Sequence, residues 1–200
     1  MRTTPFEELS PTDARSLYSA GQVPSTEVVY EIRDVQAGSV PCRLYRPSAK
    51  KDLGLLVFFH GGGWVLGDFP THERLIRDLV QRSGAVAVYV DYTPSPEAKY
   101  PTAINQAYAA TQWVAQHGKE IGVDGSRLAV AGNSVGGNMA AVVALKAKAE
   151  GSPKLKFQLL LWPVTDASFN NSSYQTYDRA SKSTAQLSSV KENGDWTRPL

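Results

Sequence analysis

Gly132, Asn133, Ser134, Val135 and Gly136 form a Gly-x-Ser-x-Gly sequence, a pattern that places a serine hydroxyl at the apex of a sharp strand-to-helix turn. A serine held there can attack an acyl carbon once a base takes its proton, and the glycines leave space where Cβ atoms would collide. Three fixed residues arise by chance in roughly one chain in twenty. A second motif narrows the chemistry. His60, Gly61, Gly62, Gly63 and Trp64 make a glycine loop able to aim backbone N–H groups at the oxyanion of a tetrahedral intermediate. The rival reading of the serine turn is a phosphate-binding loop, but neither the Gly-x-Gly-x-x-Gly nor the Gly-x-x-x-x-Gly-Lys spacing occurs.

Both motifs need strands to carry them. Residues 55–59 are a continuous apolar run, as in a strand buried on both faces, and the run stops at His60. Residues 128–131 form a similar run ending at the serine turn, and residues 85–90 form a third. Between them the spacing predicts a helix begun by Thr71 as N-cap, with Leu75, Ile76, Leu79 and Val80 inward and Gly84 as stop. A second helix is predicted over residues 102–117, with Ile104, Ala107, Tyr108 and Val114 inward and Gly118 closing it. An alanine-rich helix follows the serine turn to about Glu150, and residues 157–162 read as the fourth apolar strand. Upstream, residues 28–34 and 40–46 flank Gln36, Ala37, Gly38 and Ser39 as an antiparallel hairpin. Strands alternating with helices predict an α/β domain with a mostly parallel sheet, and both motifs fall at its C-terminal edge, where open α/β sheets bind ligands.

The chain has 200 residues, enough for one domain. With 42% hydrophobic and 20% charged residues it has a globular composition, and the net charge of +2 names neither nucleic acid nor an anionic membrane as a partner. No run approaches the length of a membrane span. The single cysteine, Cys42, reads as a small strand residue in a reducing compartment, and the first 18 residues lack a signal-peptide core, so a cytoplasmic location is expected. Serine chemistry needs no cofactor, and no ligand cluster implies a metal.

With these motifs, and with Asp91, Tyr92, Pro96, Glu97, Tyr100 and Pro101 and then Trp162, Pro163, Val164, Thr165 and Asp166, the chain resembles the α/β-hydrolases of the hormone-sensitive-lipase type, the α/β hydrolase fold-3 family of microbial carboxylesterases and lipases. The resemblance runs from about residue 28 to 177. It implies a three-layer α/β-hydrolase sandwich, Ser134 as nucleophile, and the amides of Gly62, Gly63 and Val135 as oxyanion hole. His60, Gly61, Gly132 and Gly136 support those motifs, Trp64 walls the pocket or packs beside the turn, and the substrates are small carboxylic esters with short or medium acyl chains. Asn133 stands where the family more commonly has Asp.

The resemblance also implies what should follow Ser134: an Asp or Glu and then a His. His60, His72 and His117 all precede the serine, and Asp166 reads as a loop cap. The expected architecture is therefore an N-terminal cap segment over residues 1–27, a hydrolase core over 28–177 cut after about the sixth strand, and a polar, disordered tail over 178–200. Such a chain is expected to be an impaired esterase, with strand 157–162 left as an exposed apolar edge that drives self-association. Two alternatives stand beside this: a non-catalytic small-ligand-binding module, as in the gibberellin receptors that share the fold, and an inactive truncated fragment.

Overall fold

The computed structural model describes residues 8–166, 168 and 170–177. The expected disordered tail over 178–200 lies outside the described residues, as does the start of the N-terminal segment. In chain order the elements are α1 (Pro11–Ala20), β1 (Glu31–Ala37), β2 (Val40–Arg46), β3 (Leu53–Phe59), α2 (Phe69–Ser83), β4 (Val86–Val90) and α3 (Thr102–His117). They continue with a 3-10 turn (Gly118–Ile121), β5 (Val123–Asn133), α4 (Val135–Glu150), β6 (Phe157–Leu161) and α5 (Ser172–Tyr177).

The six strands form one sheet in the order β1-β2-β4-β3-β5-β6. β1 and β2 are antiparallel, β2 pairs antiparallel with β4, and β3, β4, β5 and β6 run parallel. Alternation along β3 divides the core between the two sheet faces. Leu55, Val57 and Phe59 pack with Ile104, Val114 and Met139 of α3 and α4, whereas Leu56 and Phe58 pack with Ile76 and Val80 of α2. This is the three-layer sandwich expected. Because both faces of the central strands are covered, their sequences are apolar throughout rather than alternating.

Several boundaries differ from expectation for local reasons. The second hairpin strand lies where expected, at Val40–Arg46, but the first lies three residues later than the strand-like run 28–34 implied, because Ala37 pairs with Val40 and Gly38 takes a positive φ of 65° in a two-residue turn. Val28 and Tyr30 are instead exposed. Helix α2 is capped by Asp68 and not by Thr71, which is the N3 partner in a reciprocal capping box. α3 keeps its expected span with Gly118 as C-cap, but Gly118 is right-handed at φ −53°, so the chain tightens into the 3-10 turn before Gly122 at φ 72° stops it. Gly118 is small because a Cβ there would lie 3.0 Å from Gly125 N and Val123 O.

β6 is the far edge of the sheet among the described residues. Its Leu159, Leu160 and Leu161 are half-buried, while Phe157 is 62% and the following Trp162 68% exposed. No described helix is long and apolar enough to cross a membrane.

Candidate active site

β3 and β5 are neighbours, and their parallel register pairs Phe59 with Gly132. One step further along each strand lie His60 and Asn133, so the glycine loop and the serine turn leave the sheet side by side. The gap between them is filled by backbone. A Cβ on Gly136 would collide with the carbonyl oxygen of Phe59, and one on Gly132 would collide with the carbonyl of Gly136. The glycines flanking the serine are thus required by the contact between the first turn of α4 and the end of β3.

Ser134 has φ 56° and ψ −121°, a combination rarely adopted by a residue with a side chain. Three backbone bonds hold it there. Its N–H donates to Leu161 O at 2.9 Å, and its carbonyl accepts from Asn138 N and from Val164 N, both at 3.1 Å. β6 and the segment after it therefore brace the turn from the side opposite the glycine loop. The Ser134 side chain is half-buried, and Oγ has no hydrogen-bond partner among the described residues.

The glycine loop is held in a conformation that only its composition permits. Gly62, Gly63 and Trp64 have φ values of 116°, 64° and 59°, and a Cβ on Gly62 would strike the backbone of Leu66. The Gly62 carbonyl turns inward to accept from Val65 N at 3.1 Å and Leu66 N at 2.8 Å. The N–H groups of Gly62 and Gly63 bond to no described residue, and Val135 opens α4, so its N–H has no helix carbonyl to satisfy it. These are the three donors expected for the oxyanion hole, and the N-terminal end of α4 adds a field that favours negative charge. Trp64 is half-buried and packs against the larger core cluster.

His60 is buried and sandwiched in the loop's base. Its ring stacks on Tyr92 at 4.2 Å and Tyr89 at 5.3 Å between centroids, and Nδ1 donates to Gly61 O at 2.7 Å. Tyr92 also donates its hydroxyl to His60 O at 3.0 Å. Burial, with the nearby His72 adding to it, lowers His60 to about 3. His72 is likewise lowered to about 4, by burial, with Asp68 partly offsetting the effect. His117 lies elsewhere, stacked on Trp113 with Nδ1 bonded to Trp113 O at 3.1 Å. Asp166 caps its own loop by accepting from Ser168 N at 2.9 Å, the role expected of it. Cys42 is buried, its thiol pushed up to about 12 by desolvation, and is chemically inert there. Among the described residues no group of three or more His, Cys, Asp or Glu is placed to hold a metal ion.

Two groups that brace the site carry no local signal in the sequence. Arg15 of α1 donates to Val65 O at 2.7 Å, Ser95 O at 2.8 Å and both carboxylate oxygens of Glu97 at 2.7 and 2.8 Å, while Ser95 N donates to Trp64 O at 2.7 Å. One guanidinium thereby ties the N-terminal helix to the outer end of the glycine loop. Glu97 is half-exposed, so its ion pair with Arg15 is expected to contribute no more than about 1 kcal/mol of global stability, as a double-mutant cycle of Arg15→Ala and Glu97→Ala measures. Faster amide exchange at Ser95 in Arg15→Ala, with the amides of β4 unchanged, is the local result expected. The other group is the side chain of Asn133, whose Oδ1 accepts from Gly61 N at 3.0 Å. The residue that departs from the commoner family pattern is thus itself a fastener of the glycine loop.

Residues 56–196 match the family described as alpha/beta hydrolase fold, and the chain belongs to that family. The match continues past residue 177 into the stretch outside the described residues. Among curated proteins, Esterase LipI of Mycobacterium tuberculosis is 44% identical over 145 residues, covering 71% of this chain and 45% of that protein. Carboxylesterase NlhH of the same organism is 43% identical over 136 residues, covering 68% of this chain and 43% of its own length. A solved structure of a thermostable esterase from Pseudomonas putida is 59% identical, with a TM-score of 0.88 over 98% of this chain and 63% of the other. The chain therefore spans about half the length of the curated relatives it matches.

Proposed function

We propose that the chain carries the nucleophile of a serine carboxylic ester hydrolase acting on small esters with short or medium acyl chains. Oγ of Ser134 attacks the acyl carbon and gives its proton to a base. The carbonyl oxygen becomes an oxyanion that accepts from the N–H groups of Gly62, Gly63 and Val135. Collapse expels the alcohol and leaves the acyl group on Ser134, and water then releases the acid. The observation that carries this reading is the strained turn of Ser134 together with backbone donors that have no partner among the described residues. The names of the relatives, esterases and carboxylesterases, support the substrate class.

The base is the element without a candidate among the described residues. His60 spends Nδ1 on Gly61 O and is buried, His72 faces Asn133, and His117 is bonded to the backbone of α3. Loss of a base costs on the order of a million-fold in turnover, while oxyanion hole and binding retain roughly a thousand-fold over water. The chain by itself is accordingly proposed to be a slow esterase. The same free N–H groups could hold a small carboxylate or ester without turnover, and the commitment of all three histidines favours that second reading. Incubation with p-nitrophenyl butyrate followed by peptide mass spectrometry separates the two. A butyryl group on the peptide containing Ser134, absent in Ser134→Ala, is expected; saturable binding with no acyl adduct would move the assignment to a binding module.

The edge of β6, unpaired among the described residues and bearing the exposed Phe157 with Trp162 just after it, is proposed to drive self-association. Light scattering is expected to show species larger than one chain at micromolar concentration, and a monodisperse monomer would count against it.

A further inference from the structure

We infer that Asn133 and His72 are positioning residues that form a charge-neutral latch on the glycine loop, with Asn133 holding the Gly61 N–H and a neutral, Nδ1-protonated His72 holding Asn133. The inference deepens the hydrolase reading and rests on it for the purpose of the loop, not for the latch itself.

The hydrogen bonds determine every proton in the latch. Gly61 N can only donate, so the Asn133 atom 3.0 Å away is Oδ1. That orientation directs Nδ2, which also can only donate, at His72 Nε2 at 3.4 Å. Nε2 must therefore present a lone pair. On the other side of the ring, Nδ1 lies 3.0 Å from Thr71 Oγ1, and that hydroxyl donates its own proton to Asp68 O at 2.9 Å. Thr71 Oγ1 is thus an acceptor toward the ring, and Nδ1 carries the proton. The chain from the cap of α2 to Gly61 is consistent in one direction only. It joins residues 61 positions apart in the sequence through the space between β5 and α2.

The environment keeps the ring neutral. His72 is 4% exposed and meets the His60 ring from the β3 side at 5.4 Å, Phe58 at 6.5 Å, Asn133 from β5 and the Asp68 carboxylate at the start of its own helix. Tyr89 of β4 lies behind His60. Protonating Nε2 would set an N–H against the Asn133 amide donor and turn that amide away from Gly61. The latch thus opens in acid. An Asp at 133 reverses the logic, because a carboxylate accepts from Gly61 N and draws a proton onto Nε2.

Long-range proton–nitrogen correlation spectra of the histidine rings in the full chain test this directly. His72 is expected to show a single protonated nitrogen, Nδ1, from pH 5 to pH 8, and Asn133→Asp is expected to protonate Nε2 in the same range. Asn133→Ala is expected to speed amide exchange at Gly61 about tenfold, the loss of one buried hydrogen bond, with Val88 in β4 unchanged. An Nε2-protonated ring in the unaltered chain, a ring indifferent to Asn133→Asp, or Gly61 exchange unmoved by Asn133→Ala would each overturn the latch. None of these readouts requires turnover. Ser134→Ala is expected to leave them all intact, so failure of the latch and failure of the nucleophile assignment are separate results.

Discussion

Gly136→Ala is expected to destabilise the chain by about 4 kcal/mol or more, the range reserved for a clash that the fold cannot relieve. The added Cβ would overlap the carbonyl oxygen of Phe59 and lie 2.7 Å from that of His60. Both belong to backbone at the end of a central strand, and moving them breaks the register between β3 and β5. Gly84→Ala is the matched control. Its Cβ would meet nothing within 4 Å, so only the left-handed φ of 68° opposes it, a cost of roughly 1–2 kcal/mol. Urea denaturation of the two variants distinguishes steric contact from backbone strain. A Gly136→Ala protein as stable as Gly84→Ala would mean that the turn of Ser134 is not packed against β3 as described.

The second large effect is acid lability. An unfolded histidine binds a proton near pH 6.5, whereas in the folded chain His60 resists until about 3 and His72 until about 4. Between those limits the unfolded state carries more protons, so stability falls as pH falls. Each histidine contributes stability that is whole above pH 6.5, is lost at about 1.4 kcal/mol per pH unit as pH falls below it, and is exhausted below the folded value. Glu97, lowered to about 2 by Arg15, acts in the same direction but is half-exposed and starts lower. Burial of Asp91 opposes the trend. The urea midpoint measured from pH 7 to pH 4 is expected to drop steeply, and His72→Asn is expected to reduce the slope. A flat profile would show that these rings are not buried as neutral groups.

These two predictions depend on features of unequal visibility in the sequence. The buried parallel strands were legible because residues 55–59 and 86–90 are covered on both faces and so lack any polar position. The serine turn was legible because the contact of α4 with Phe59 leaves glycine as the only residue for position 136. Other features were ambiguous locally. Asp68 and Thr71 are both good cap residues three positions apart, and only the geometry of the box distinguishes cap from N3. Residues 28–30 are apolar like a strand but exposed, since the turn at Gly38 sets the hairpin register from its other end. The latch and the Arg15 clamp were not legible, because their partners lie 61 and 82 positions apart and meet only when the sheet is assembled.

The central proposal is that Ser134 is a nucleophile served by an oxyanion hole of backbone N–H groups. Hydrolysis of p-nitrophenyl butyrate by the chain and by Ser134→Ala, each with and without added imidazole as a diffusible base, tests it most directly. The expected result is slow turnover that imidazole accelerates in the unaltered chain beyond the rate seen in Ser134→Ala under the same conditions. Equal rates in the two proteins at every imidazole concentration would contradict the assignment of the nucleophile. Rapid Ser134-dependent turnover without imidazole would contradict the proposal that this chain is a slow esterase.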